Sequence, residues 1–301
     1  MILALLLVAV GLAAYVAVSA VVAHRFTTAR RVAPVDGAGA ATPLTTVTMP
    51  LSTVTMPSRG IHITLQGWYL PAVPGGAAVV FVHGKDACRG SELRAPTFEL
   101  ARAHVAAGIS VLMIDLRGHG TSTRARMTYG AAEKLDVLGA VDWLIAQGHR
   151  RVGVLGASMG AASALLAAAD DAVVEAVVAY SAFAHFGTMI ERQFRHLSGL
   201  PSFVVPGALA LGRCLTGQRL ADVSPLAAAA RLIGRPVLVV HSQGDRFVPV
   251  DDAVAIAGAA AAECWITDSD GHIGSFAAAP DLYAERVVSF FSQHLCGAET
   301  A

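Results

Sequence analysis

Charge is what this chain has least of. Charged residues make up 15% of its 301 positions, against roughly 25% in an average domain, so an apolar excess has to be located somewhere. Disorder along the whole length is excluded, because a chain that is 54% hydrophobic buries enough surface to offset ordering entropy. Basic and acidic residues number 22 each, and the zero balance leaves no chain-wide footprint for nucleic acid. Lysine is nearly missing (Lys85 and Lys134 alone), with arginine in its place, which we read as coding bias. The four cysteines, Cys88, Cys214, Cys264 and Cys296, form no CxxC and no Cys/His pair at metal spacing, which argues against a zinc site. They read as buried free thiols, with one or two disulfides the other possibility in an oxidising compartment. No Gly-rich phosphate loop and no carboxylate cluster for a divalent ion is present, so no cofactor is expected.

The excess begins at residue 1. Met1 to Ala23 carries no charged side chain and as a helix would be roughly 34 Å long, enough to cross a ~30 Å hydrocarbon core. A cleaved signal peptide is the rival reading, since Val18-Ser19-Ala20 and Val21-Val22-Ala23 offer small residues at cleavage-like positions. The charged leader is missing, however, and the run exceeds the ~7–15 residues of a signal core. A retained anchor over 1–23 is therefore expected, with no polar face to suggest a core helix. His24, Arg25, Arg30 and Arg31 follow it, and the positive-inside bias places the bulk of the chain in the cytoplasm.

Residues 24–59 read as a linker rich in Thr, Pro and Ala, with a tandem repeat: Leu44 to Met49 closed by Pro50, then Leu51 to Met56 closed by Pro57. The prolines exclude a continuous helix. A tethering spacer is the expectation, with an added edge strand as the alternative. On this layout residues 60–301 form the folded domain, and removal of Met1 to Arg31 would release it in a soluble, active form.

From Ile61 the pattern turns regular. Ile61–Leu70 alternates and reads as antiparallel strand. Ala77–Val82, Ser110–Ile114, Arg151–Leu155, Glu175–Tyr180, Pro236–His241 and Glu263–Ile266 are short apolar runs of the kind buried on both faces. Between and after them, Glu92–Ala107, Tyr129–Gln147, Met159–Ala169, Asp251–Ala262 and Pro280–Leu295 read as helices. Such alternation predicts an α/β fold: a mostly parallel central sheet with helices on both faces and functional loops at the carboxyl ends of the strands. The stretch 183–223 interrupts the rhythm as a helical cap insertion.

One turn carries chemistry. Gly156-Ala157-Ser158-Met159-Gly160 follows a buried strand and opens an Ala-rich helix, the setting of a nucleophile elbow. Small residues two before and two after the serine let a very sharp turn form, and the helix amino end favours developing negative charge. A serine hydroxyl needs a base, and the base an orienting acid. His272 lies past the last strand and Asp245 past the strand before it, so all three can meet at one rim. Asp268 or Asp270 is the alternative acid, although both sit close in sequence to His272. His83 and His119 read as loop pins, His241 as a core histidine, and His185 and His196 as solvated. Asp115 and Arg117 are expected to pair with each other beneath the site.

These features occur in a telling order: the Gly67-Trp68-Tyr69 strand, His83-Gly84, Asp115 to Ser122, the elbow, Gly244-Asp245 with Val248-Pro249, and Gly271-His272. In them the chain resembles the α/β-hydrolases over about Ser58 to Leu295, and among these the membrane-anchored serine hydrolases of the Bem46-type and dipeptidyl-peptidase-like group. The resemblance implies the α/β-hydrolase fold with Ser158 as nucleophile, His272 as base then acid, and Asp245 as its orienting carboxylate. It also implies an oxyanion hole of the Lys85 and Met159 backbone N–H groups. Lys85-Asp86 departs from the small or apolar residue common after His-Gly, which implies a more polar pocket. The expected activity is cleavage of a carboxylic ester or acyl-thioester, on a small-molecule or lipid-like acyl substrate, by a membrane-anchored enzyme. Its rivals are a peptidase or protein deacylase on the same triad and a catalytically silent membrane scaffold.

Overall fold

The computed structural model describes residues 1–34, 51–60, 62–91 and 97–297. Eight strands form one sheet: β1 (Ser52–Pro57), β2 (Thr64–Leu70), β3 (Ala77–Val82), β4 (Ser110–Ile114), β5 (Arg151–Ala157), β6 (Ala176–Tyr180), β7 (Val237–Gly244) and β8 (Glu263–Asp270). Their spatial order is β1-β2-β4-β3-β5-β6-β7-β8. β2 runs antiparallel to both of its neighbours, and every other pairing is parallel.

The apolar runs explain the sheet's central position. All of β3, β4 and β6 is buried, and the strand period of two sends alternate residues to opposite faces. Ala78, Val80 and Val82 point into one core, with α3 (Glu133–Ala146), α4 (Met159–Asp170) and α8 (Val250–Ala260). Ala77, Val79 and Phe81 point into the other, against α2 (Thr97–Ala106) and α10 (Pro280–Leu295). Between β6 and β7 the insertion folds as α5 (Phe186–Ser198) and α6 (Val205–Thr216), each followed by a single 3-10 turn. A short α7 (Pro225–Ala229) leads on to β7, and α9 (Ser275–Ala278) lies just ahead of α10.

Several boundaries differ from the sequence reading. The helix expected from Tyr129 starts at Glu133, because Tyr129 and Gly130 hold φ of 57° and 113°. There the Glu133 carboxylate accepts from the Thr128 and Gly130 N–H groups, both at 2.8 Å. Of the helix expected from Glu92, residues 92–96 lie outside the described residues. The four cysteines are unpaired, but only Cys88 is buried.

The linker reading of 24–59 gives way at both ends. The second repeat copy is strand β1, paired with β2 from Ser52↔Tyr69 to Pro57↔Thr64, so the alternating Thr and Val side chains serve a sheet edge. The first copy falls outside the described residues. At the other end, helix α1 (Ile2–Thr27) is longer than 1–23 and only half of it stands free. Residues 1–14 are exposed, whereas Ser19, Val22, Ala23 and Thr27 are buried.

This buried half is built into the domain. The Tyr15 hydroxyl donates to the Phe203 carbonyl at 3.3 Å and accepts from the Gly207 N–H at 3.1 Å. The Met127 N–H donates to the Thr27 carbonyl at 2.8 Å, and the Tyr129 hydroxyl donates to the Phe26 carbonyl at 3.0 Å. Beyond the helix, Arg31 reaches the Gly120 and Ser122 carbonyls. An anchor hung on a flexible spacer would make none of these contacts, and a chain cut at Arg31 would expose the apolar face of α6.

Gly207 sets the approach of α1 to α6: a Cβ there would lie 2.5 Å from Ser19 Oγ and 2.7 Å from the Tyr15 hydroxyl. Gly207→Ala is therefore expected to cost about 1–3 kcal/mol, as overpacked contacts do. Gly11→Ala, on the free half with nothing within 4 Å, should cost nothing. Thermal unfolding of the full-length protein in detergent distinguishes the two.

Candidate active site

The chain passes from β5 into α4 through a single residue. Ser158 adopts φ 53° and ψ −116°, a region that costs a non-glycine residue of order 1–3 kcal/mol. Its surroundings impose this conformation. The Ser158 N–H donates to the Tyr180 carbonyl at 2.8 Å, tying the turn to β6. A Cβ on Gly156 would fall on the Gly160 carbonyl, and one on Gly160 would fall on the Val82 carbonyl at the end of β3. The two glycines thus let α4 start directly against the sheet, with the serine at its amino end.

Two loops complete the arrangement. His272 Nε2 lies 2.8 Å from Ser158 Oγ, and His272 Nδ1 lies 2.7 Å from Asp245 Oδ2. The other carboxylate oxygen accepts from the Phe247 and Val248 N–H groups at 2.8 and 3.0 Å. Burial works to raise the Asp245 carboxyl, but the hydrogen bond and charge of His272 and these two N–H donors together hold it below the ordinary carboxylate range. An ionised carboxylate only accepts, so His272 Nδ1 carries the proton and Nε2 is left to accept from the serine hydroxyl. Phe247 stands edge-on to the imidazole at 5.0 Å. Asp268 and Asp270 are both exposed; the carboxylate on Nδ1 is that of Asp245.

His241, which the sequence suggests is a plain core histidine, lies behind this relay. Burial keeps its pKa below the usual value. Its Nε2–H donates to the Val248 carbonyl at 3.0 Å and faces Asp245 Oδ2 at 3.5 Å. Only its place at the end of a buried strand, four residues before Asp245, hinted at this.

The loop after β3 is pinned by two buried histidines whose rings meet at 4.9 Å. His83 Nδ1–H donates to the Gly84 carbonyl at 2.7 Å, and Nε2 accepts from the Leu116 N–H at 3.0 Å. Burial and the neighbouring His119 push its pKa down to about 3, so it stays neutral. His119 donates to the Arg117 carbonyl and accepts from the Asp86 N–H. Gly84 and Lys85 thereby come to line the same cavity as Ser158. The Lys85 ammonium is paired with Asp86, and the walls above it are mostly apolar.

Asp115 and Arg117 do not pair with each other. Asp115 holds Arg89, accepting also from the Arg89 and Thr121 N–H groups, while Arg117 forms a two-pronged pair with Asp136 at 2.7 and 3.0 Å. The chain turns at Arg117 and Gly118, so Asp115 faces the loop that carries Arg89 while Arg117 faces Asp136 on α3.

The cavity over Ser158 and His272 has a volume of about 1000 Å³, the upper end of ordinary ligand pockets. Met189, Ile190, Leu197 and Leu200 of the insertion form one side. Of the stretch Leu200–Leu211, only Leu200 lines it. Helix α1, packed against the insertion, also lines it, through Ala17, Val18, Val21, Val22, Arg25 and Phe26. Sequence reasoning missed this wall, although Tyr15, Ser19, Ala23 and Thr27 recur at helical spacing and mark an inward face. Among the described residues, no group of three His, Cys, Asp or Glu is placed to hold a metal ion.

Comparison with known proteins gives a consistent picture. The profile of the alpha/beta hydrolase family matches residues 79–286. The uncharacterized protein YqkD of Bacillus subtilis is 36% identical over 150 residues, which is 48% of each chain; the match thus spans about half the length of that curated relative. Among solved structures, the Pyrococcus furiosus esterase PF2001 superimposes with a TM-score of 0.72 at 22% identity, covering 90% of this chain and 98% of that one. Est1E of Butyrivibrio proteoclasticus, determined with ferulic acid bound, gives a TM-score of 0.63 at 19% identity over 81% and 99%. The acylaminoacyl peptidase of Pyrococcus horikoshii gives 0.59 at 18% identity, over 85% of this chain and 43% of its own.

Two outcomes follow from this geometry. Gly160→Ala should destabilise by about 3 kcal/mol or more, since backbone rather than a mobile side chain blocks the methyl group; denaturant unfolding measures it. The low native pKa of Asp245 adds stability that is complete above its unfolded value and disappears as pH falls through the native one. The stability gap between wild type and Asp245→Asn should therefore close as pH falls below the ordinary carboxylate value of about 4.

Proposed function

The chain belongs to the alpha/beta hydrolase family, and from that premise we propose that it is a membrane-anchored serine hydrolase cleaving carboxylic esters or acyl-thioesters. The observation that carries this reading is the unbroken chain of hydrogen bonds from Asp245 through His272 to Ser158, 2.7 and 2.8 Å long, at the floor of an apolar cavity.

In this reading His272 Nε2 takes the Ser158 proton as Oγ attacks the substrate carbonyl, and Asp245 stabilises the imidazolium that forms. The first N–H groups of a helix have no partner within it. The Met159 N–H, at the start of α4, is therefore one donor to the tetrahedral oxyanion, and the Lys85 N–H is the second. Such a donor contributes about 2.7–4 kcal/mol to the transition state. His272 then returns its proton to the leaving alcohol or thiol. Water, activated by the same imidazole, attacks the acyl-enzyme, the carboxylic acid leaves, and Ser158 regains its proton. No cofactor enters any step.

The anchor is helix α1. It is the one described helix long and apolar enough to cross a membrane, and its 26 residues span roughly 39 Å. Arg25 near its inner end, with Arg30 and Arg31 just beyond it, favours the cytoplasmic side for the catalytic domain under the positive-inside bias.

A fluorophosphonate probe tests the chemistry. It should label the detergent-solubilised wild type and leave Ser158→Ala and His272→Ala unlabelled; a folded wild type that resists the probe would favour the silent scaffold. Asp245→Asn should keep the fold and lower ester turnover by about 10⁴-fold, as loss of the orienting acid does in serine triads. Asp270→Asn should stay near wild type.

A further inference from the structure

Helix α1 has two jobs that share the same residues. Residues 1–14 of α1 are exposed, and residues 15–27 are docked on the domain. The uncharged run ends at Ala23, ahead of His24 and Arg25, and a ~30 Å hydrocarbon core takes about 20 residues of helix. If the helix spans with Arg25 at the interface, Tyr15 to Ala20 lie within the hydrocarbon while Tyr15 and Ser19 still touch the insertion. Ala17 and Val18, the outermost lining of the cavity on this helix, fall at that depth. So does Phe203, which stacks on Tyr15 with ring centroids 6.2 Å apart and remains 65% exposed. An aromatic ring left bare beside a membrane helix is satisfied by lipid, not by water.

The cavity follows the helix from this level inward. Its lining on α1 runs from Ala17 to Phe26, about 14 Å along the axis, and it also includes Ser158 and His272. Apart from Arg25, every one of those α1 residues is apolar.

We propose that α1 is both membrane span and wall of the acyl site, so that the outer end of the cavity opens within the leaflet. The acyl chain of a lipid ester enters there from the bilayer, lies along Val18, Val21 and Val22, and presents its carbonyl to Ser158. This rests on the acyl-transfer reading above, and it adds the substrate class, the entry route and the residues that set chain length.

The test uses the full-length protein in lipid nanodiscs, with kcat/KM measured for dodecanoyl and butanoyl esters of one alcohol. An indole at Val18 or Val21 narrows the wall, so Val18→Trp and Val21→Trp should lower the dodecanoyl-to-butanoyl ratio at least tenfold. Val16→Trp, on the same helix but outside the lining, should leave the ratio unchanged. Retained fluorophosphonate labelling of Ser158 establishes that each variant is folded. Should the bulky variants lose labelling, Val18→Ala and Val21→Ala widen the same wall and should raise the ratio. An unchanged ratio in labelled lining variants overturns the proposal while the acyl-transfer reading stands; a wild type that neither labels nor turns over overturns both. Entry from the bilayer is read separately, by brominated-lipid quenching of Phe203→Trp. The added fluorescence should be quenched, and an unquenched signal there overturns the membrane-facing mouth.

Discussion

The close approach of α4 to the end of β3 is the constraint on which the rest of the site depends. Gly160 brings the helix against the Val82 and His83 carbonyls, nearer than any side chain permits. Three consequences follow from that one contact. The turn before the helix becomes so sharp that Ser158 is held at positive φ. The unpartnered N–H groups at the start of α4 come beside the loop that leaves β3. And that loop, pinned by His83 and His119, has its position fixed relative to the serine. The strain at Ser158, of order 1–3 kcal/mol, is offset by packing on both sides of the sheet.

Electrostatics supports the geometry without adding a formal charge to the cavity walls beyond Arg25 and Lys85. Asp245 is kept ionised by His272 and two backbone donors despite its burial, which fixes which nitrogen of His272 faces the serine. His241 and His83 are driven neutral by burial, so each serves as a directional hydrogen-bonding group. Elsewhere Asp115 and Asp136 are each matched by an arginine, Arg89 and Arg117, while the buried Glu133 is held by the Thr128 and Gly130 N–H groups and the Thr128 hydroxyl.

Much of this was legible in the sequence because strands buried on both faces leave a plain trace. Runs such as Ala77–Val82 have no polar position to hide, and a small-residue turn ahead of an Ala-rich helix has few other uses. The carboxyl ends of successive strands placed Ser158, Asp245 and His272 at one rim before any distance was known. What escaped was pairing decided in three dimensions. Asp115 and Arg117 look like partners in sequence, yet the choice of Arg89 and Asp136 depends on which loops lie on either side. The second repeat copy became β1 because β2 offered an unpaired edge, a fact that Thr and Val alternation alone does not reveal. The docking of helix α1 on the domain was the largest omission. An uncharged run masks its own periodicity, and the inward face of Tyr15, Ser19, Ala23 and Thr27 differs from the outward one in size and hydroxyl content more than in hydropathy.

The scarcity of charge from which the reading began thus has two physical homes that meet. One is a sheet covered on both sides, which needs apolar strands. The other is helix α1, whose outer half is apolar and exposed and whose inner half packs against the insertion. An apolar helix that merely tethered a domain would be free to vary in every residue that keeps it apolar. Here Ser19 must be small enough to sit against Gly207, Tyr15 must reach a backbone carbonyl and an N–H, and the Thr27 hydroxyl must accept from the Arg126 guanidinium. Folding of the insertion, placement of the helix and the shape of the cavity over Ser158 are therefore one packing problem. If α1 spans a bilayer as proposed, a change in bilayer thickness or lipid packing that tilts it would move a wall of the cavity, because the interior is close-packed and transmits displacement. On that reading the membrane would bear on the cavity over Ser158 through the same contacts that hold the helix to the domain.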